Sequence, residues 1–268
     1  MQLDTSGLPD PGLPALPPPL PEQELAESKE STQPLEPPWT LDGVLLLGVG
    51  LLTSMAAGML LVHALERYAS HLNFAQRKYS TFLISNFCFQ GVGLVLTHSF
   101  LRRHQMSWGT FLGITKPDFK RAIVLGVGVA LVILLPGTSA LQWLTFKALT
   151  WLQQTPDVQP TVQVLRLSYA TWQQIVFGIS AIVLAPLFEE ILFRGVFFRF
   201  VKQLGYPRLA VIGTSVIFGL IHGSVAALVP LCFFAAVLAV VYDKTGNLTT
   251  AIVAHSFFNC VNFLLVPR

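Results

Sequence analysis

From residue 41 onward, long apolar runs alternate with short polar breaks. Runs at about 41–65, 80–100, 122–147, 169–203, 208–222, 224–242 and 248–266 are long enough, or nearly so, to cross hydrocarbon as helices. The pattern therefore predicts about seven transmembrane helices, the third kinked at Pro136 and Gly137 and the seventh opening at a Thr245-Gly246-Asn247 turn. Before residue 41 the pattern changes. Ten of the eighteen prolines fall within residues 1–38, with acids, Ser and Gln and no apolar run. Such a composition buries too little surface to fold. The expected domains are a disordered Pro-rich acidic tail at 1–40, N-terminal transmembrane helices at 41–168 and a helical core at 169–268.

Composition makes a soluble fold untenable. The 268 residues are 53% hydrophobic and 12% charged, with a mean hydropathy of +0.60, where a soluble domain carries about 25% charged residues. The fold class expected is all-α, a polytopic membrane helix bundle whose surroundings are the lipid bilayer. Net charge is +3 but split: residues 1–40 hold seven acids and one base, the remainder sixteen bases and seven acids. Most of those bases sit in short loops, where they set topology, so no nucleic-acid partner is expected. Loops 101–121, 199–208 and Lys244 fall on one side of a seven-helix chain, which puts the N-terminus in the cytoplasm; Arg67, Arg77 and Lys78 in loop 66–79 disagree. The membrane is the cell membrane for a bacterial chain, or an organelle membrane. Cys88, Cys232 and Cys260 lie in apolar runs, without metal-site spacing, and read as small hydrophobes.

Against this background a few polar residues stand out. Glu189 and Glu190 are adjacent in IVFGISAIVLAPLFEEILFRGVFFRF, and a carboxylate at bilayer depth costs about 2.5–3.5 kcal/mol on insertion scales. Glu190 and Arg194 are four apart and share a helix face, a spacing suited to an ion pair, whereas Glu189 points about 100° away. Phe218 and His222 are four apart in the fifth run, and His255 and Asn259 in the seventh, with Asn262 continuing that stripe. At 1.5 Å per residue from the expected cytoplasmic ends, Glu189 and His222 lie roughly 21 Å deep, and His255 and Asn259 roughly 13–20 Å. Taken singly, each has a structural reading. Glu190 with Arg194 can simply fix packing, Phe218 can fill the core, and His63 and His98 read as partners in interhelical hydrogen bonds. Four groups at one depth point to a reactive site.

These residue types support hydrolysis by activated water. A carboxylate serves as general base, a neutral imidazole binds a metal, orients water or donates a proton, and His255 with Asn259 could donate to an oxyanion. There is no GxSxG elbow and no HExxH. Intramembrane Glu and His also make proton relays, but the chain lacks the internal repeats of such transporters.

At these positions the chain resembles the CPBP intramembrane proteases, also called the Abi or type II CAAX prenyl endopeptidase family. The motifs are Glu189-Glu190-Ile191-Leu192-Phe193-Arg194, Phe218-Gly219-Leu220-Ile221-His222 and His255-Ser256-Phe257-Phe258-Asn259, with TGNLTTAIVAHSFFN also family-like. The similarity spans about 170–265 and nothing before it. The resemblance implies an intramembrane endopeptidase acting on a membrane protein or peptide. Glu189 would activate water with His222, His255 and Asn259 would stabilise the oxyanion, and Glu190, Arg194 and Phe218 would support them. It also leaves a zinc reading open, with Glu189, His222 and His255 as ligands, beside a glutamate base that requires none. Some relatives are non-proteolytic scaffold or immunity proteins, and the Pro-rich tail could dock a protein partner.

Overall fold

The computed structural model describes residues 39–114, 119–168 and 170–266; the tail expected at 1–38 lies outside them. Every element is helical. We number them α1 (Leu41–Tyr68), α2 (Phe74–Arg103), α3 (Trp108–Leu112), α4 (119–151), α5 (Pro160–Arg166), α6 (Thr171–Gln203), α7 (Pro207–Ile221), α8 (Val225–Thr245) and α9 (Leu248–Leu265). Helices α1, α2, α6, α8 and α9 are long and apolar enough to cross a membrane, and α7 is apolar but shorter. With α4 these are the seven expected runs, so the chain is an all-helical, multi-pass integral membrane protein.

Local chemistry sets the ends. Thr40 caps α1 by accepting from the Gly43 amide, and Asn73 with Gln76 forms a reciprocal capping box at α2. Pro207 opens α7, where a missing N–H costs nothing. Helix α7 stops at Ile221, and Gly223 turns the chain with a φ of +62° before Ser224 caps α8. Gly246, at φ +58°, ends α8, and Asn247 caps α9. The short α3 docks here: Thr249 donates to Leu112 O at 2.7 Å and Asn247 to Gly113 O at 3.4 Å.

Four π-helical segments interrupt the long helices: Phe87–Gly91 in α2, Ile133–Thr138 in α4, and Ser180–Leu184 and Ile191–Phe198 in α6. The kink expected at Pro136 and Gly137 falls in the second of these. A π segment breaks the regular hydrogen-bond ladder, and lipid offers no replacement partner. Side chains supply it. Ser54 donates to Cys88 O, Thr138 to Ile133 O, Asn259 to Ala181 O and Trp39 to Gly195 O.

In the core, α7 pairs with α8 and α9 with α4, around Phe188, Ile191, Phe218, Phe234 and Leu238. A smaller cluster joins Tyr79 and Phe82 of α2 to Val164 and Leu165 of α5 and Phe177 of α6. Trp39 and Thr40, which composition places with the tail, belong to the bundle: Trp39 is 2% exposed. All three cysteines are free, Cys88 buried and the others half-buried. His98 Nδ1 accepts from Trp108 Nε1 at 3.0 Å, an interhelical hydrogen bond of the kind expected, while His63 is exposed on α1.

Candidate active site

Two π segments of α6 bracket six α-helical residues, Ala185–Glu190, and the adjacent glutamates end that piece. Glu190 is completely buried and Arg194 is 1% exposed. They pair at 2.8 Å, as their four-residue spacing predicts. A second guanidinium nitrogen, Nη2, donates to Ala235 O of α8 at 2.7 Å. The face of Phe218 lies 5.3 Å from the Arg194 guanidinium, which adds a cation–π contact. This charge is thus held by a carboxylate, a carbonyl and a ring from three helices.

Helix α9 contributes His255, which is buried. Its Nδ1 lies 2.7 Å from Glu190 Oε1, the oxygen that also accepts from Arg194. Arg194 keeps Glu190 an acceptor, so His255 Nδ1 carries the hydrogen and donates it. Nε2 then faces Glu189, whose Oε2 is 3.8 Å away. That is beyond a direct hydrogen bond and suits a shared water. The Glu189 side chain keeps 13% exposure where Glu190 keeps none. The two neighbours differ as their helical angle implies: one is sealed in an ion pair, the other opens towards a histidine. Phe234 packs edge-on against the His255 ring at 4.9 Å.

His222 sits just past the end of α7, half-buried. Its Nδ1 is 2.7 Å from Phe218 O. A carbonyl can only accept, so this contact fixes the tautomer and leaves the Nε2 lone pair unprotonated in the neutral ring. Phe218, fully buried, touches both imidazoles, with ring centres 4.6 Å from His222 and 5.9 Å from His255. It is the spacer between them. His222 itself makes no hydrogen bond or ion pair to Glu189 or His255 among the described residues.

Asn259 makes a structural contact that its spacing did not announce. Its amide donates to Ala181 O at 2.8 Å, tying α9 to the first π segment of α6. One N–H is thereby committed to the backbone. Asn262 turns back on its own helix, donating to Phe258 O at 2.8 Å.

The structure thus gathers Glu189, Glu190, Arg194, Phe218 and His255 into one contiguous group, with His222 on its margin and Asn259 one helical turn beyond His255. Sequence reasoning missed Ala235 and Phe234 of α8. A backbone acceptor has no residue signature, and one more phenylalanine among twenty carries none either. Among the described residues no three His, Cys, Asp or Glu side chains are gathered as a metal ion's ligands. His222 and His255 each engage Nδ1 and keep an Nε2 lone pair, as a zinc-ligating imidazole does, but among the described residues Glu189, His222 and His255 are not gathered around a single ion position.

No curated protein and no solved structure matches the chain significantly. Residues 171–261, from the start of α6 into α9, match the family model described as Type II CAAX prenyl endopeptidase Rce1-like, so the resemblance carried by the Glu189–Arg194, Phe218–His222 and His255–Asn259 motifs holds across all three.

Proposed function

We propose that this protein is an intramembrane endopeptidase that hydrolyses a peptide bond of a membrane-associated protein or peptide, with Glu189 activating the water. The observation that carries this reading is the asymmetry of the pair. Glu190 accepts from both Arg194 and His255, while Glu189 is 3.8 Å from His255 Nε2 and keeps some access. One carboxylate builds the site and the other is left for chemistry. With both ionised, the Glu189–Glu190–Arg194 cluster holds one net negative charge, which a single proton on Glu189 or His255 cancels. A dry site handing one proton back and forth suits general acid–base catalysis.

The steps follow from the donors. Glu189 takes a proton from water, and the His222 Nε2 lone pair orients that water. The resulting hydroxide attacks the scissile carbonyl carbon. His255, protonated at Nε2, donates to the oxyanion, and the remaining amide hydrogen of Asn259 is a second donor. Glu189 then returns its proton to the amide nitrogen, the C–N bond breaks, and an acid and an amine leave. The family description points to a prenylated C-terminal CAAX peptide as the first substrate to try.

The test is cleavage of a farnesylated CAAX-terminal peptide by purified protein in nanodiscs. Glu189→Ala and His222→Ala should each abolish turnover without lowering the melting temperature, and chelator should leave wild-type turnover intact. Cleavage retained by Glu189→Ala would overturn the reading; loss of activity to chelator, restored by zinc, would replace the glutamate base with a metal.

A further inference from the structure

The group that fixes the far side of the catalytic helix comes from outside the motifs. The π segment Ile191–Phe198 begins immediately after Glu190 and contains Arg194. Its Gly195 carbonyl accepts from the indole Nε1–H of Trp39 at 2.8 Å, a buried hydrogen bond spanning 156 positions of sequence. Trp39 precedes the first membrane helix, yet its backbone is held as firmly as its ring. Its N–H donates to Gln203 Oε1 at 2.9 Å, and Gln203 Nε2 donates back to Trp39 O. The Arg199 guanidinium lies 4.1 Å over the indole face. Trp39 therefore meets α6 at three successive turns, through Gly195, Arg199 and Gln203.

The contact leaves no room for slack. A Cβ at Gly195 would come within 2.4 Å of the Phe111 ring, which itself packs 6.1 Å from Trp39. Gly195 lets the indole and Phe111 approach the helix backbone closely. At the other end of the glutamate-bearing piece, Asn259 holds the carbonyl of Ala181. Residues 185–190 thus lie between two broken ladders, each closed by a side chain from another element. A helix flanked by such breaks turns about its axis more readily than a continuous one, and a turn of a few tens of degrees would swing Glu189 away from His255.

We infer that Trp39 is a positioning residue for the active site: its indole N–H pins the π segment after Glu190, and this holds Arg194 and the glutamate pair in rotational register. The catalytic part of this inference rests on the proteolytic reading above; the structural part does not. Replacement by the isosteric 3-benzothienylalanine removes only the N–H, and Trp39→Phe removes the N–H together with one ring of the indole. Amide hydrogen exchange of each in nanodiscs, without substrate, should accelerate about fivefold over residues 191–203, as expected for one buried hydrogen bond, with residues 41–68 unchanged. Unaltered exchange over 191–203 in the isosteric variant would overturn the pin, and that variant decides the matter if Trp39→Phe fails to fold. In protein that cleaves the farnesylated peptide, kcat should fall with KM unchanged; a raised KM at constant kcat would overturn the positioning role. Because exchange is read without substrate, its result stands whatever Glu189→Ala does to cleavage.

Discussion

The amide of Asn259 donates to the Ala181 carbonyl at 2.8 Å, linking the last helix to the first π segment of α6, which carries both glutamates. The third motif therefore has a structural duty four residues past its histidine. Asn259→Ala leaves a half-buried carbonyl without its partner, a loss of about 1–3 kcal/mol. A lowered melting temperature, with faster amide exchange over 180–190, is expected. A variant that loses turnover with neither change would have its role in the chemistry alone.

The glutamates should separate cleanly under conservative substitution. Glu189→Gln removes the carboxylate proposed as the base and leaves Glu190, Arg194 and His255 paired, so stability should hold while turnover disappears. Glu190→Gln strips the ion-paired carboxylate from a guanidinium that is 1% exposed. Breaking one side of such a buried pair costs about 3–5 kcal/mol. Thermal unfolding in one detergent compares them directly, and equal melting temperatures would contradict the division of labour.

Phe218 separates two imidazoles and supports Arg194 from its face. Phe218→Leu keeps apolar volume but loses the ring, so it should cost less stability than Phe218→Ala, for which about 3–5 kcal/mol is typical. Both should reduce turnover, because His222 loses the surface it rests on. The two melting temperatures, set beside the two rates, check the order.

Much of this arrangement was legible because helical chemistry repeats at four residues. Glu190 with Arg194, Phe218 with His222 and His255 with Asn259 all declare themselves at that spacing, and apolar run lengths located the helices that carry them. Two contacts follow directly, the Glu190–Arg194 ion pair and the approach of His255 to Glu189, whereas the shorter contact of His255 with Glu190 does not. Other contacts resisted for identifiable reasons. A π segment changes the turn angle without a residue signature, so the bracketing of Ala185–Glu190 was invisible. Ala181, Gly195 and Ala235 act through carbonyl oxygens, which every residue owns. Trp39 fell on the tail side of a boundary drawn from average composition, although a lone tryptophan just before an apolar run is itself a sign of burial.

Asp157 offers a pH test away from the membrane-spanning helices. It lies between α4 and α5, and its Oδ1 accepts from the Ala226 amide at 3.0 Å, at the first turn of α8 and four residues past His222 in sequence. That amide, chiefly, holds the carboxyl below its ordinary value of 3.8 against the opposing effect of desolvation, with the Ser224 hydroxyl assisting. A depressed carboxylate stabilises the fold when ionised. Its contribution is therefore complete above the unfolded value near 3.8 and is lost as pH falls through the lower folded value. The side chain is exposed, so the effect should be modest and sensitive to salt. The melting-temperature difference between wild type and Asp157→Asn should be present at pH 7 and shrink as pH falls below 3.8. A difference that stays constant across that range would mean the carboxylate is not what fastens the connector to α8.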